Sequence, residues 1–454
     1  MAATLLQTKI AVWDVSMKIR IEWENRFRFR PRHLMAVQSY EANFILSGLL
    51  IWIESGPIWS KLVVENGTSK RIEYVLIAIM SLKAKNYRQL GQNLRRIYDA
   101  EVALEADHPS KRKVLEFILD HFKEFSFQKS QVFKQFFQEF YYTGSYFEGL
   151  RVSKATEFDI NVVFKLLPHM EYLIHELEAP LSYATLQLKH PSRSSLDVPV
   201  PFFDDESYLI GKNVRSWFQS LVESFINNTN LVYPGLLEVK LTHSGPARTL
   251  KVFYNFVWIS VDLVPVFAID AKLLQKYTLG HIPDFKEESL LNCYFVPKPL
   301  KMELSCMVTD DSVERVWRIH FAETEKQILK GKHALKPLIK LMKDLRDKEM
   351  WPIPSYFLKV VAFWLVRKYP HRQFWNDSKF GLLFVKFLEA LEMHLEAKHL
   401  GHILYPKFNL FHSLSPKTLM ALKRRVNSII TNLDSRPQLA YKLFKVPILD
   451  HRLS

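Results

Sequence analysis

Residues 143–167 read TGSYFEGLRVSKATEFDINVVFKLL, and the fold turns on this stretch. It opens on Gly144-Ser145, a turn-forming pair, and closes on an apolar, β-branched run from Phe158 to Leu167. That run is expected to be a strand. Glu157 and Asp159 stand at its start. Two residues apart on a strand, their carboxylates share one face. A third acid, Asp262, interrupts the apolar run ISVDLVPVF at 259–267, another expected strand. Leu237–Thr242 alternates, and Leu250–Val257 follows the turn signature His243-Ser244-Gly245-Pro246. These strands lie too close in sequence for a crossover helix, so the expected sheet is antiparallel.

Like charges ~4 Å apart repel by about 4 kcal/mol at an effective dielectric of 20. Three converging carboxylates therefore need cations, and oxygen ligands favour Mg²⁺ or Mn²⁺. Two such ions can clamp the attacking and leaving oxygens of a phosphoryl transfer. Gly144 lets backbone approach a phosphate closely, and Ser145 can donate to it. Taken singly, an E-x-D at a strand end is commonly solvated surface, and a Gly-Ser is commonly just a turn. The ordered set carries the inference. No G-x-G-x-x-G or Walker loop is present, and Leu150-Arg151 follows Gly149 where a Walker loop needs Lys-Ser/Thr. His394, His399 and His402 are not spaced to share a helical face, which argues against a histidine metal site.

Before the Gly-Ser turn, Lys111–Phe125 has helical apolar spacing, with Pro109-Ser110 as its start signal. An apolar stripe of Val132, Phe133, Phe136, Phe137 and Phe140 reads as its extension. After about residue 274, Thr324–Lys348, Tyr356–Lys368, Leu382–Lys398 and Pro416–Leu433 read as amphipathic helices. The expected class is α+β. The expected domains are an N-terminal extension over 1–84, a sheet lobe over 85–273, a helical lobe over 274–440 and a tail over 441–454.

The 454 residues carry 62 Lys+Arg against 47 Asp+Glu, a net charge of +15, which favours a polyanionic partner. Only 2 cysteines exclude a Cys-based zinc tetrad and a disulfide framework, and point to a reducing, cytoplasmic setting. The start, MAATLLQTKIAVWDV, lacks the pattern of a signal peptide. The apolar window Ala42–Ile53 is bracketed by Glu41 and Glu54, and is short of the ~20 apolar residues of a span, so no membrane partner is expected. The basic run Lys18–Arg32 is either a nucleic-acid arm or a solvated face.

With these residues in hand, the sequence resembles the cyclic GMP–AMP synthase-like receptors within the Mab-type nucleotidyltransferases. The matching runs are 143–167, ISVDLVPV at 259–266, WRIHFAETEKQIL at 317–329, LIKLMKDL at 338–345, Pro354-Ser355-Tyr356 and YPKFNLF at 405–411. The resemblance implies a two-lobed nucleotidyltransferase fold, with a mainly antiparallel sheet, a spine helix and a helical-bundle lobe. It implies that Glu157, Asp159 and Asp262 bind two Mg²⁺ or Mn²⁺ ions, and that Thr143, Gly144 and Ser145 hold a triphosphate. Arg318, Lys340 and Lys343 would contact phosphates or the acceptor nucleotide. Tyr356 would stack on a base with Ser355 beside it. ATP and GTP would be the substrates, and a cyclic dinucleotide the product.

The chain departs from the vertebrate enzyme in one informative place. Where that enzyme has a His/Cys zinc insertion, this chain has only KGKHALKP at 330–337, with Cys293 and Cys306 upstream, so no zinc is expected. His320 and Ala322 replace small hydroxyl residues after Arg318. The expected activator is double-stranded RNA, met by Lys111, Arg112 and Lys113 and by a basic helical face of Lys326, Lys330, Lys336, Lys340 and Lys343. A ligand-induced homo-oligomer fits the resemblance as well. Two rivals remain: a non-catalytic Mab-type scaffold or developmental protein, and a template-independent RNA polymerase.

Overall fold

The computed structural model describes residues 69–102, 109–152, 156–166, 170–189, 202–244, 247–277, 292–300 and 310–447. The chain divides into two compact units, Met1–Asn86 and Tyr87–Ser454. The basic run Lys18–Arg32 and the apolar window Ala42–Ile53 lie outside the described residues.

Helix α1, Ser69–Ile97, ends in a single π-helical turn at Tyr98–Val102. Helix α2, Pro109–Lys129, buries Val114, Leu115, Ile118, Leu119 and Phe122 at helical spacing. Ser130 then restarts the chain. Its hydroxyl accepts from the Phe133 N–H at 3.1 Å and caps the short helix α3, Gln131–Phe136. Phe137 and Phe140, expected to prolong this helix, belong instead to strand β1, Phe137–Thr143. A phenylalanine-rich run suits either period. Pairing with β2, Glu157–Phe164, decides it, with Thr143 opposite Asp159.

The turn α4, Gly144–Phe147, separates those two strands. The chain continues through β3, Tyr172–Glu176, and β4, Tyr183–Leu188, then helix α5, Gly211–Asn228. Next come β5, Leu236–Ser244, β6, Ala247–Tyr254, and the long β7, Val257–Asp270. Short strands β8, Asn292–Val296, and β9, Trp317–His320, complete the sheet. Its order is β1-β2-β7-β8-β9-β4-β3, with β6 also on β7 and β5 outside β6.

Two expectations change here. The sheet is mainly antiparallel, but its central pair, β2 and β7, runs parallel. The long connection from Phe164 to Val257 supplies the crossover that adjacent strands could not. The sheet also continues past residue 273, because β8 and β9 join it. The β6–β7 hairpin turns at Asn255 and Phe256, both left-handed at φ 46° and 61°. That conformation is uncommon for a bulky residue. The usual Asn-Gly signal is missing, which is why the sequence reads through this turn as strand.

The C-terminal region is helical: α6, Ala322–Ile328; α7, Leu335–Lys348; α8, Ser355–Lys368; α9, Phe380–Glu396; α10, Pro416–Ser435; and α11, Leu439–Leu443. The single helix expected over 324–348 is two helices, split at Gly331, whose φ is +72°. Among the described residues no helix is long and apolar enough to cross a membrane.

One face of the sheet carries an aromatic core. Phe122 of α2 meets Phe133, Phe140, Phe218 and Phe225, with ring centroids 5.3–6.4 Å apart. Phe164, Trp217 and Phe267 continue it across the strands. The opposite face holds Val163, Val266, Ala268 and Tyr294 under Ala322 of α6. Phe122 is fully buried. Truncating Phe122 to Ala is expected to cost about 3–5 kcal/mol, read as a lowered midpoint in a denaturant melt; a loss under ~1 kcal/mol would show that α2 is not anchored through this ring.

Candidate active site

The parallel register of β2 and β7 sets Asp159 directly beside Asp262. On the other side of Asp159 lies Thr143, after which the chain turns away at Gly144. Gly144 has φ +76°, and a Cβ there would lie 1.8 Å from Asp159 Oδ2. Only glycine lets this turn close over the carboxylate. The turn is pinned by Glu148 N–H to Gly144 O at 3.1 Å and Leu150 N–H to Ser145 O at 2.7 Å.

Asp262 accepts from Thr249 Oγ1 at 2.5 Å, across the β6–β7 pair. Glu157 is exposed and ion-paired with Arg151. Burial pushes the Asp159 carboxyl up to about 6, helped by the Asp262 and Glu157 charges and only partly opposed by Arg151. A desolvated like-charge pair of this kind fits a divalent cation, which would supply the missing positive charge. Among the described residues no group of three or more His, Cys, Asp or Glu comes together as a metal cage. Glu157 would have to leave Arg151 to complete one.

The expected basic residues divide into two groups. Lys343 donates to Leu150 O at 2.8 Å, and burial, with Arg151 and Arg346 nearby, brings its ammonium down to about 8. It therefore sits against the end of the Gly-Ser turn. Lys336 lies next to Gly149, and its ammonium would be 3.4 Å from a Cβ there. Lys340 is not brought to the turn. It is only 6% exposed, and its ammonium lies 5.6 Å from the Tyr98 ring centroid. Lys326 is half-buried over the Tyr141 ring. Lys330, Arg112 and Lys113 are exposed, Lys111 is half-buried, and Arg112 is ion-paired with Glu116 at 2.9 Å. The lysines from 326 to 343 thus do not form one helical face. They are split between α6, α7 and the turn between them, and several point inward.

Arg318 sits on β9 between Tyr183 and Val296, and its charge reaches Tyr356 and His320. Ser355 and Tyr356 begin α8. The Tyr356 hydroxyl donates to Glu325 Oε1 at 2.7 Å, and its ring lies 6.3 Å from that of His402. Glu325 Oε2 pairs with Lys359 at 2.8 Å, and Lys359 pairs with Glu148 Oε2 at 2.6 Å. Burial pushes the Glu325 carboxyl up, but the Lys359 charge and hydrogen bond, together with His320 and His402, outweigh it and hold it down to about 2. Burial keeps His320 and His402 neutral, each lowered to about 4. The ring nitrogens of His394 and His399 face backbone carbonyls of His399 and Pro406, and that of His402 accepts from the Leu404 N–H.

Glu148, Arg151, Thr249, Glu325 and Lys359 were not singled out from the sequence. One signal was available: Lys359 is a lone charge in SYFLKVVAFWLV, and such a residue is rarely buried without a partner.

Asp159 and Asp262 both fall within a region that matches a known nucleotidyltransferase domain. The Mab-21 protein nucleotidyltransferase domain matches residues 146–331, and the Mab-21 protein HhH/H2TH-like domain matches 334–428. The chain belongs to the Mab-21 nucleotidyltransferase family. It is 30% identical over 357 residues to a "Cyclic GMP-AMP synthase-like receptor" of Microplitis demolitor, covering 74% of this chain and 64% of that relative. Against the receptors of that name from Ctenocephalides felis and Tribolium castaneum it is 27% identical, over 77% and 74% of this chain and 85% and 86% of theirs. Nucleotidyltransferases of this kind generally work with divalent metal ions.

Because the fold favours the protonated Asp159 carboxyl, its contribution to stability is full below about pH 4 and is lost as pH rises through about 6. Asp159→Asn should therefore melt higher than the natural protein at pH 8 without divalent ions, and this advantage should shrink to nothing near pH 4. Added Mn²⁺ should raise the melting temperature of the natural protein more than that of the variant. A difference that ignores both pH and metal would show that the acid pair is not strained.

Proposed function

We propose that this protein is a nucleic-acid-activated cyclic dinucleotide synthase, a cytoplasmic sensor of double-stranded RNA in antiviral defence. The observation that carries the reading is the register of Asp159 against Asp262 beneath the bare Gly144 turn. ATP and GTP would bind in turn, their triphosphates against Thr143, Gly144, Ser145 and Lys343. A ribose hydroxyl of one attacks the α-phosphate of the other, pyrophosphate leaves, and a second attack closes the ring. Two divalent cations held by Asp159, Asp262 and a released Glu157 would neutralise the triphosphate and acidify the attacking hydroxyl. Asp262, with Oδ1 occupied by Thr249, has Oδ2 to take the hydroxyl proton. Arg318 offers a bidentate phosphate contact and Tyr356 a π-face for a base.

Purified protein incubated with ATP, GTP, Mg²⁺ and double-stranded RNA should give a cyclic dinucleotide on chromatography. Asp159→Asn and Asp262→Asn should each lower its yield by ~10²-fold or more. Folded protein without product under Mg²⁺ or Mn²⁺ would favour the scaffold reading, and long homopolymers would favour an RNA polymerase.

For the activator, Arg112, Lys113 and Lys330 are the exposed members of the expected contact set, while Lys111, Lys326 and Lys336 are half-buried. Each phosphate contact releases condensed counterions, so RNA affinity should fall with salt at a log–log slope of about −0.9 per contact, a value borrowed from B-DNA. Lys113→Glu with Lys330→Glu should flatten that slope and reduce RNA stimulation, leaving Mn²⁺-driven basal synthesis unchanged. Equal stimulation by double-stranded DNA, or full RNA stimulation of the charge-reversed protein, would overturn the RNA assignment.

A further inference from the structure

We propose that Glu148 is a positioning residue, fixing the base-stacking Tyr356 to the phosphate-holding turn through Lys359 and Glu325. The inference rests on the nucleotidyl-transfer reading above and concerns how the same site keeps its two ends in register.

Glu148 belongs to the turn twice over. Its N–H closes the turn on Gly144 O at 3.1 Å, while its side chain leaves the turn and enters the helical region. There it meets Lys359 at 2.6 Å, with only 6% of Glu148 and 9% of Lys359 exposed. The same ammonium holds Glu325 at 2.8 Å, and Glu325, 1% exposed, takes the Tyr356 hydroxyl at 2.7 Å. Tyr356 and Lys359 lie three residues apart on α8, on adjacent turns of one face. The path is thus closed: from the Ser145 turn to Lys359 by one ion pair, and from Lys359 back to Tyr356 by a second acid.

The chemistry suits a spacer. An ammonium is a compact charge with three donors, so one lysine can serve two carboxylates at once. Buried ion pairs contribute little net stability over apolar residues of the same volume. What they do provide is geometry, because each partner is costly to leave unpaired. A nucleoside triphosphate presents its phosphates and its base at a set separation. Two ends joined through buried ion pairs meet that separation already formed, and the ordering cost at binding falls.

The test is a double-mutant cycle on affinity for a non-cleavable α,β-methylene ATP analogue with Mg²⁺, measured calorimetrically on the full chain, so that no turnover is needed. Glu148→Gln keeps the shape and removes the charge. Tyr356→Phe keeps the ring and removes the bond to Glu325. Each alone should weaken binding by ~10-fold, and the pair should be within ~2-fold of either single variant, because both cut the same path. Independent, multiplying losses would overturn the proposal, since they are what unrelated structural damage produces. Unchanged affinity in folded Glu148→Gln would overturn it as well. Glu148→Asp, one methylene shorter and still charged, covers the case in which the Gln variant does not fold, and should show the same non-additivity with Tyr356→Phe. Natural protein that binds no analogue would overturn the nucleotidyl-transfer reading itself; natural protein that binds, with additive variants, would overturn only the role of Glu148.

Discussion

The parallel register that sets Asp159 beside Asp262 is the constraint around which the site is arranged. Strand register fixes the two carboxylates as neighbours, and burial strips away the water that would screen them. The surroundings then divide the work of tolerating that charge. Gly144 gives up its side chain so that the turn can close over Asp159. Thr249 fixes one oxygen of Asp262. Arg151 occupies Glu157 and keeps the third acid from adding its full charge to the pair. Paired carboxylates held this way are a donor set that a divalent cation would neutralise.

Much of this was legible in the sequence because the chemistry obeys short periods. Glu157 and Asp159 share a face by strand alternation, and Asp262 stands out in an apolar run. Gly144 was visible as a turn, although its contact with Asp159 was not. What escaped depends on partners distant in sequence. The parallel pairing of β2 and β7 needs the long excursion through β3, β4 and α5, which no local pattern announces. β1 hides in a phenylalanine-rich run that fits a helix as well as a strand. The short strands β8 and β9 sit where only helices were expected.

The lysines teach a related lesson. Spacing along one expected helix made Lys326 to Lys343 look like a continuous basic face. Gly331 breaks that helix, and burial removes Lys340 from the surface. Charge counts from sequence report how many cations exist, and the fold decides which of them meet solvent. Glu148 and Lys359 show the converse. Glu148 looked unremarkable among 47 acidic residues, Lys359 stood out only as a lone charge in an apolar run, and the two turn out to be buried against each other.

The tie between Glu148 and Lys359 bears on how such chains can be recombined. The two family-defined regions meet between residues 331 and 334, which looks like a natural seam for cutting or swapping. Yet the acid lies on one side of the seam and its lysine on the other, so each half taken alone exposes or strands a charge that the other neutralises. The two regions behave as complementary halves of one folding unit. A chimera would keep the fold only if donor and recipient agree on both members of the pair, and shuffling at this seam inherits electrostatic debt wherever they do not.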